Sequence, residues 1–174
     1  MAIPGENPFI PVYQVDAFTG EPFGGNPAAV CLVDAFLPED TMKKIALEMN
    51  LSETAFVAPS ARGGEGESFA IRWFTPAVEV PLCGHATLAS SWVIFTEKET
   101  SATHITFESA SGTLAATREG GGVTLGFPRN DSEPAVVPAG LLEALGLEAV
   151  EDAQVSRSAE MLLLRVEDEP TLRS

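Results

Sequence analysis

Short apolar runs, separated by turns rich in glycine and proline, cover most of this chain. Residues 28–33 are almost entirely apolar, and residues 69–75 mix β-branched and aromatic side chains in rough alternation. Runs of this length and composition are typical of β-strands rather than helices. The pattern predicts strands at residues 12–18, 28–33, 54–58, 69–75, 103–108, 112–118, 123–127 and 161–166.

Other segments have the pattern of helices. Between residues 42 and 49 the apolar positions recur at i, i+3, i+4 and i+7, which predicts an amphipathic helix that ends near Asn50. Residues 86–95 are small or apolar and contain neither glycine nor proline, so they predict a buried helix. A short third helix is predicted around residues 140–145.

The order of these elements predicts an α+β fold built mainly as one lobe. The last three strands before Pro128 follow one another through short turns, as in a β-meander, and the chain after Pro128 becomes polar. We therefore expect a loose arm at residues 1–11, a lobe at 12–128, a linker at 129–138 and the start of a further unit at 139–174.

Charge narrows the range of partners. The 174 residues include 25 acidic and 10 basic side chains, a formal net charge of −15. Such a balance repels phosphate backbones and anionic lipids, so we expect neither a nucleic acid nor a membrane as partner. The N-terminus resembles no secretory signal, and no apolar run is long enough to span a membrane. We expect a cytoplasmic protein with reduced thiols.

The sequence does not favour a metal site or a phosphate-binding loop. His85 and His104 are too few and too far apart for the usual spacing of zinc ligands, and the glycine clusters at 63–64 and 120–122 lie in turns between strands. Cys31 lies inside an apolar run, and we interpret it as core packing. We expect no metal and no organic cofactor.

A thiol, a glycine and an imidazole stand together in the segment Leu82–Ala89, where a strand pattern gives way to a helical one. Gly84 and His85 would then begin the helix, whose free N–H groups and positive dipole end can bind an anion such as a carboxylate. This favours acid–base chemistry at a carbon near a carboxylate. Core filling by Cys83 and His85 is the alternative interpretation of so short a motif.

Glu53 is the second candidate, because it stands at the start of a predicted apolar strand. A carboxylate that loses solvation has its pKa raised towards neutrality, which suits a general acid–base. A solvated corner between helix and strand is the alternative, and position by itself does not decide between them.

Several blocks of the chain resemble, in the same order over about ninety residues, the PhzF-like phenazine-biosynthesis family. They are Val15–Thr19, Phe23–Val30, Met42–Asn50, Asn50–Thr54, Ile71–Pro76 and Leu82–Ala89. The resemblance implies the diaminopimelate-epimerase-like fold, in which two lobes each wrap a curved, mostly antiparallel sheet around a central helix and enclose the active site between them. Residues 12–128 would form one lobe around the helix from His85, and residues 139–174 the start of a truncated, incomplete second lobe.

The resemblance also implies a reaction. In the family the glutamate of the Asn-Leu-Ser-Glu block moves a proton between substrate carbons, and here this is Glu53. The Gly-His pair holds the substrate carboxylate, and here this is Gly84 and His85; we expect Ser52 and Thr87 to support them. The implied activity is a cofactor-independent isomerase like that acting on trans-2,3-dihydro-3-hydroxyanthranilate, in which Cys83 is a spectator.

Two alternatives remain open. The Cys83-Gly84-His85 block is also similar to that of cofactor-independent amino-acid racemases and epimerases, in which Cys83 would be the catalytic base. Alternatively, a lobe without the second half of its cleft would be inactive and serve as a binding or dimerising module. Exposed strand edges would favour such self-association, and we expect a homodimer.

Overall fold

A computed structural model describes residues 9–60, 67–98, 100–127 and 129–173. The chain divides into two compact units, Met1–Phe127 and Pro128–Ser174. The glycine pair at 63–64 lies outside the described residues. The boundaries of arm, lobe, linker and second lobe given above stay predictions.

The first unit contains eight strands and two helices among its described residues. In chain order they are β1 (Val12–Ala17), β2 (Asn26–Leu32), α1 (Glu39–Met49), β3 (Glu53–Pro59), β4 (Glu67–Phe74), β5 (Glu79–Val80), α2 (Gly84–Glu97), β6 (His104–Ser109), β7 (Gly112–Glu119) and β8 (Gly122–Gly126). The strands and both helices predicted for this region are present, with ends shifted by a few residues. The two-residue strand β5 lies where the sequence indicated only a connector.

These strands form one mixed sheet in the order β1-β2-β3-β4-β6-β7-β8, and β5 pairs with β4. The pairs β2–β3 and β4–β6 are parallel, and the other pairs are antiparallel. Helices α1 and α2 supply the two crossovers that parallel neighbours require. Helix α2 contacts β1, β2 and β3 as well as β7 and β8, so the sheet curls around it. This confirms the predicted α+β fold, a curved and mostly antiparallel sheet wrapped around a central helix.

Small side chains allow α2 to lie inside the curved sheet. Ala86 and Ala89 are buried against it. The hydroxyls of Thr87, Ser90 and Ser91 each donate a hydrogen bond of 2.6–2.7 Å to the carbonyl four residues earlier. Because these hydroxyls find partners within the helix, a segment rich in serine can be buried without unpaired polar groups.

Strand β3 is buried on both faces along residues 54–58, which explains why residues 55–58 are all apolar. Ala55 and Val57 belong to the cluster around α2, whereas Phe56 packs with Met42 of α1 on the opposite face. Cys31 of β2 belongs to that second cluster and is fully buried. It therefore fills the core, as the sequence predicted.

Two backbone positions with positive φ shape the connections. Asn50 ends α1 in the left-handed conformation at φ 51°, in agreement with the predicted helix end. Gly25 has φ +68°, and a Cβ there would lie 2.1 Å from the carbonyl oxygen of Ala17. The turn between β1 and β2 therefore requires glycine at this position.

The second unit contains a three-stranded antiparallel sheet in the order β11-β10-β9. Its elements are β9 (Glu133–Pro134), α3 (Leu141–Leu145), β10 (Asp152–Ser156), β11 (Met161–Arg165) and α4 (Glu169–Arg173). Helix α3 and strand β11 were predicted, but β9, β10 and α4 were not. Strand β10 has mainly polar residues, and β9 is a two-residue strand inside the segment interpreted as a linker.

No helix in the described part of the chain is long and apolar enough to cross a membrane.

Candidate functional site

Two acid–base side chains from different elements meet at one end of the curled sheet. Alternation along β3 places Glu53 on the same face as Ala55 and Val57, the face that packs on α2. His85 lies in the first turn of α2. The Oε2 atom of Glu53 is 3.4 Å from Nε2 of His85, and their side chains are 20% and 9% exposed.

His85 contacts further polar groups at both ring nitrogens. Its Nδ1 lies 3.4 Å from the sulfur of Cys83, and its Nε2 lies 3.2 Å from the hydroxyl oxygen of Ser52. That hydroxyl also lies 3.4 Å from Oδ1 of Asn26 and 3.5 Å from the carbonyl oxygen of Pro27. The imidazole thus joins the start of α2 to the starts of β2 and β3.

Cys83 immediately precedes α2 and is buried. Burial raises the pKa of its thiol to about 12, and the nearby Glu53 carboxylate acts in the same direction. The backbone N–H groups of Ala86 and His85 donate to the sulfur and oppose this shift in pKa only partly. The thiol therefore keeps its proton near neutral pH.

Gly84 is the first residue of α2. The N–H groups in the first turn of a helix have no acceptor within the helix and can bind an anion. Those of His85 and Ala86 are shared with the sulfur of Cys83. The ring of Phe127 would lie 3.7 Å from a Cβ at Gly84, so this aromatic side chain borders the helix end.

The structure thus brings Ser52, Glu53, Cys83, Gly84 and His85 together. The sixth predicted residue, Thr87, lies behind them. It is fully buried, and its hydroxyl donates to the carbonyl of Cys83 at 2.6 Å, so it supports the turn that carries Cys83.

Asn26 is the member of this network that sequence reasoning did not single out. Its amide oxygen is an acceptor beside Ser52. The glycine and proline around it indicated a turn, and this composition gave no sign that its side chain contacts the start of β3.

Glu53, Cys83 and His85 also offer the donor types that zinc prefers, and their ligand atoms lie within 4.8 Å of one another. The three side chains already contact one another: Cys83 meets Nδ1 of the imidazole, Glu53 meets Nε2, and Cys83 also hydrogen-bonds to Glu53. They form a hydrogen-bonded cluster, and an ion bound by all three would replace these contacts.

Comparison with known proteins identifies the family. The family model described as phenazine biosynthesis-like protein, PhzC-PhzF, matches residues 15–136. The chain therefore belongs to the PhzF family.

Individual relatives agree with this assignment. The chain is 46% identical over 161 residues to a Pseudomonas aeruginosa protein named as an uncharacterized isomerase, with 92% of this chain and 59% of that protein covered. It is 44% identical to the human phenazine biosynthesis-like domain-containing protein, with 91% and 57% covered.

A crystal structure of a PhzF-family protein from Enterococcus faecalis matches with a TM-score of 0.79 and 42% identity, covering 93% of this chain and 59% of that one. This neighbour supports the predicted epimerase-like fold. The chain thus spans 57–59% of the length of these relatives.

Proposed function

We propose that this chain provides the proton-transfer half of a cofactor-independent isomerase acting on a small, cyclic carboxylate. The contact between the Glu53 carboxylate and the His85 imidazole, at the N-terminus of α2, is the observation that supports this most directly. A carboxylate, an imidazole and the backbone N–H groups of a helix N-terminus together can accept a proton, stabilise charge and bind an anion.

In the proposed reaction the carboxylate of Glu53 accepts a proton from a substrate C–H bond. The electron pair of that bond moves into the conjugated system of the substrate. The protonated Glu53 exchanges this proton with solvent in part of the turnovers, and it then donates a proton to a different carbon and is restored as a carboxylate. The reaction changes neither the atomic composition nor the oxidation state of the substrate, so it consumes no oxidant, reductant or co-substrate.

His85 and the first turn of α2 would hold the substrate. The backbone N–H groups of Gly84 and His85 are the donors proposed for the substrate carboxylate, and the positive helix end favours its charge. Ser52 supports this role because its hydroxyl contacts Nε2 of His85 at 3.2 Å. Since the chain spans 57–59% of the length of its relatives, activity of the whole enzyme remains part of this proposal.

The Cys83 racemase is the competing proposal, since the thiol lies beside Glu53 and His85. The protonation state of Cys83 argues against this proposal. With the pKa of the thiol raised to about 12, almost no thiolate is present near neutral pH to act as a base.

Solvent deuterium incorporation separates these proposals. The chain is incubated in heavy water with trans-2,3-dihydro-3-hydroxyanthranilate and, separately, with the common L-amino acids, and carbon-bound deuterium is measured by mass spectrometry. The isomerase proposal predicts incorporation into the cyclic acid that E53Q abolishes and C83A largely retains.

The reverse pattern would support the racemase. Binding of the cyclic acid without any exchange, unaffected by either substitution, would contradict an isomerase activity of this chain. That outcome would favour a binding module.

We also propose that the chain acts in the cytoplasm as a homodimer. Strands β1 and β8 end the larger sheet, and unpaired backbone groups at such edges favour pairing with a second copy. Size-exclusion chromatography with light scattering tests this, and a monomer at all concentrations would contradict it.

A further inference from the structure

The groups around His85 distinguish its two ring nitrogens. Nδ1 meets only the sulfur of Cys83 among the contacts described above, whereas Nε2 meets the hydroxyl of Ser52 and the carboxylate of Glu53. A neutral imidazole has one N–H donor and one acceptor nitrogen, and its neighbours decide which is which.

The contacts at Nε2 favour a proton on that atom. The ionised carboxylate of Glu53 can only accept, so an unprotonated Nε2 at 3.4 Å would place two lone pairs against each other. The hydroxyl of Ser52 has two carbonyl-type acceptors nearby, on Asn26 and Pro27. By donating to one of them, Ser52 leaves its oxygen free to accept from Nε2–H.

The contact at Nδ1 of His85 favours an unprotonated nitrogen at that position. The sulfur of Cys83 already accepts from the backbone N–H groups of Ala86 and His85. The burial of the side chain keeps the proton on the sulfur, and the S–H group can donate across the 3.4 Å to Nδ1. Donors and acceptors are then matched from Cys83 through His85 to Ser52 and Asn26. The carboxylate of Glu53 is a second acceptor within reach of the thiol, and a proton on Nδ1 is the result expected if the S–H group donates there instead.

We propose that Cys83 is a positioning residue: its S–H group donates to Nδ1 of His85 and thereby fixes the tautomer in which Nε2–H faces Glu53. The tautomer follows from the contacts of this chain. Its catalytic consequence rests on the proposed function: Nε2–H would stabilise the carboxylate of Glu53 before that carboxylate accepts a substrate proton. Cys83 would act through the imidazole, without contacting the reacting carbon.

Nitrogen NMR of the isotope-labelled chain measures the tautomer directly. The sequence contains only two histidines, so H104N assigns the signals of His85 by elimination. At about pH 8, where a free imidazole is neutral, we expect Nε2 of His85 at the shift of a protonated nitrogen. We expect Nδ1 far downfield, at the shift of an unprotonated one. A proton on Nδ1 in the unsubstituted chain would overturn the proposal.

Substitutions test whether Cys83 is the cause. C83A should move the two nitrogen shifts of His85 towards each other, because the ring then exchanges between tautomers. C83S should retain the separation, since its O–H group can still donate to Nδ1. C31A, which removes the other thiol, is the matched control and should leave the His85 signals unchanged. An unchanged tautomer in C83A would also overturn the proposal.

The two proposals can fail separately. The amide spectrum of each variant reports whether the chain is folded, and should C83A fail to fold, the unsubstituted chain and C83S still give the tautomer. If deuterium exchange occurs without the expected tautomer, the isomerase proposal is supported and the proposed role of Cys83 is contradicted. If the expected tautomer is found but no exchange occurs, the tautomer assignment is supported and the isomerase proposal is contradicted.

Discussion

The carboxylate of Glu53 faces the imidazole of His85 at 3.4 Å because both residues begin an element at the same end of the curled sheet. Glu53 is the first residue of β3, and His85 is the second residue of α2. Alternation along β3 determines which face Glu53 occupies, so a slip of one residue would turn it to the face that packs on α1. The contact therefore depends on the register of the sheet.

Shortening Glu53 by one methylene should impair proton transfer without unfolding the chain. In E53D the charge is kept but the carboxylate withdraws from His85, and a displacement of this order can reduce a rate by about 100-fold. We expect such a decrease in deuterium incorporation, with the free energy of unfolding changed by about 0.5 kcal/mol or less. E48D on the exposed side of α1 is the control. Equal rates for E53D and the unsubstituted chain would contradict the role of Glu53.

Much of the first unit could be predicted from its sequence because local patterns agree with the final packing. Residues 42–49 have helical spacing, and Asn50 tolerates the left-handed conformation that ends α1. Strand β3 could be recognised from its apolar run, because both of its faces are covered.

The hydrogen-bond network could not be predicted in the same way. Ser52 lies beside Asn26 because β2 and β3 pair in parallel with Ala28 opposite Glu53. Nothing in the local sequence specifies that register, since it depends on how α1 crosses the sheet. In the second unit, β10 was missed although its residues alternate, because Val155 is its only β-branched residue and it has no aromatic one.

Replacing Thr54 by valine should stabilise the chain. Among the described residues, Thr54 is fully buried and its hydroxyl oxygen has no hydrogen-bond partner. An unpaired buried polar group costs about 1–3 kcal/mol, and valine has nearly the same shape and favours strands. We expect T54V to raise the free energy of unfolding by about 1 kcal/mol, measured by urea denaturation.

The serine variant at the same position provides the comparison. T54S keeps the unpaired hydroxyl and loses a buried methyl group, so it should lower stability by about 1 kcal/mol. If T54V were less stable than T54S, the hydroxyl would have a stabilising partner and the prediction would be wrong.

Arg72 links three elements on the outer face of the sheet. Its guanidinium donates to both carboxylate oxygens of Glu79 at 2.6–2.7 Å and to Glu39 at 3.1 Å. It also lies over the ring of Phe74, 5.2 Å from the ring centre. We expect R72M to lower the free energy of unfolding by about 1 kcal/mol at low salt, and R72K to restore little of it, because lysine lacks the planar fork.

Acid should weaken the stabilising contact between Arg72 and Glu39, because the carboxylate of Glu39 becomes protonated. Hydrogen bonds from Lys43 and then Arg72 hold the pKa of Glu39 below its ordinary value of 4.5. Because the pKa of Glu39 is lowered in the folded chain, its hydrogen bonds with Lys43 and Arg72 stabilise the fold above pH 4.5. This stabilisation is lost as pH falls through the folded-state pKa of Glu39. Urea denaturation between neutral and acid pH should show a smaller loss for R72M than for the unsubstituted chain. Parallel curves would contradict this.

The two buried thiols should make the chain less stable in alkali. Burial raises the pKa of both Cys31 and Cys83 from 9.0 to about 12. Above pH 9 the unfolded chain therefore loses thiol protons that the folded chain keeps, and stability falls with rising pH. The expected slope is about 1.4 kcal/mol per pH unit for each thiol, over the window from pH 9 to 12. Urea denaturation at a series of alkaline pH values should show a shallower fall for C31A than for the unsubstituted chain. T54V keeps both thiols and is the control, so its free energy of unfolding should fall with pH as steeply as that of the unsubstituted chain. Equal slopes in C31A and T54V would show that the Cys31 thiol ionises normally in the folded chain, which would contradict the prediction.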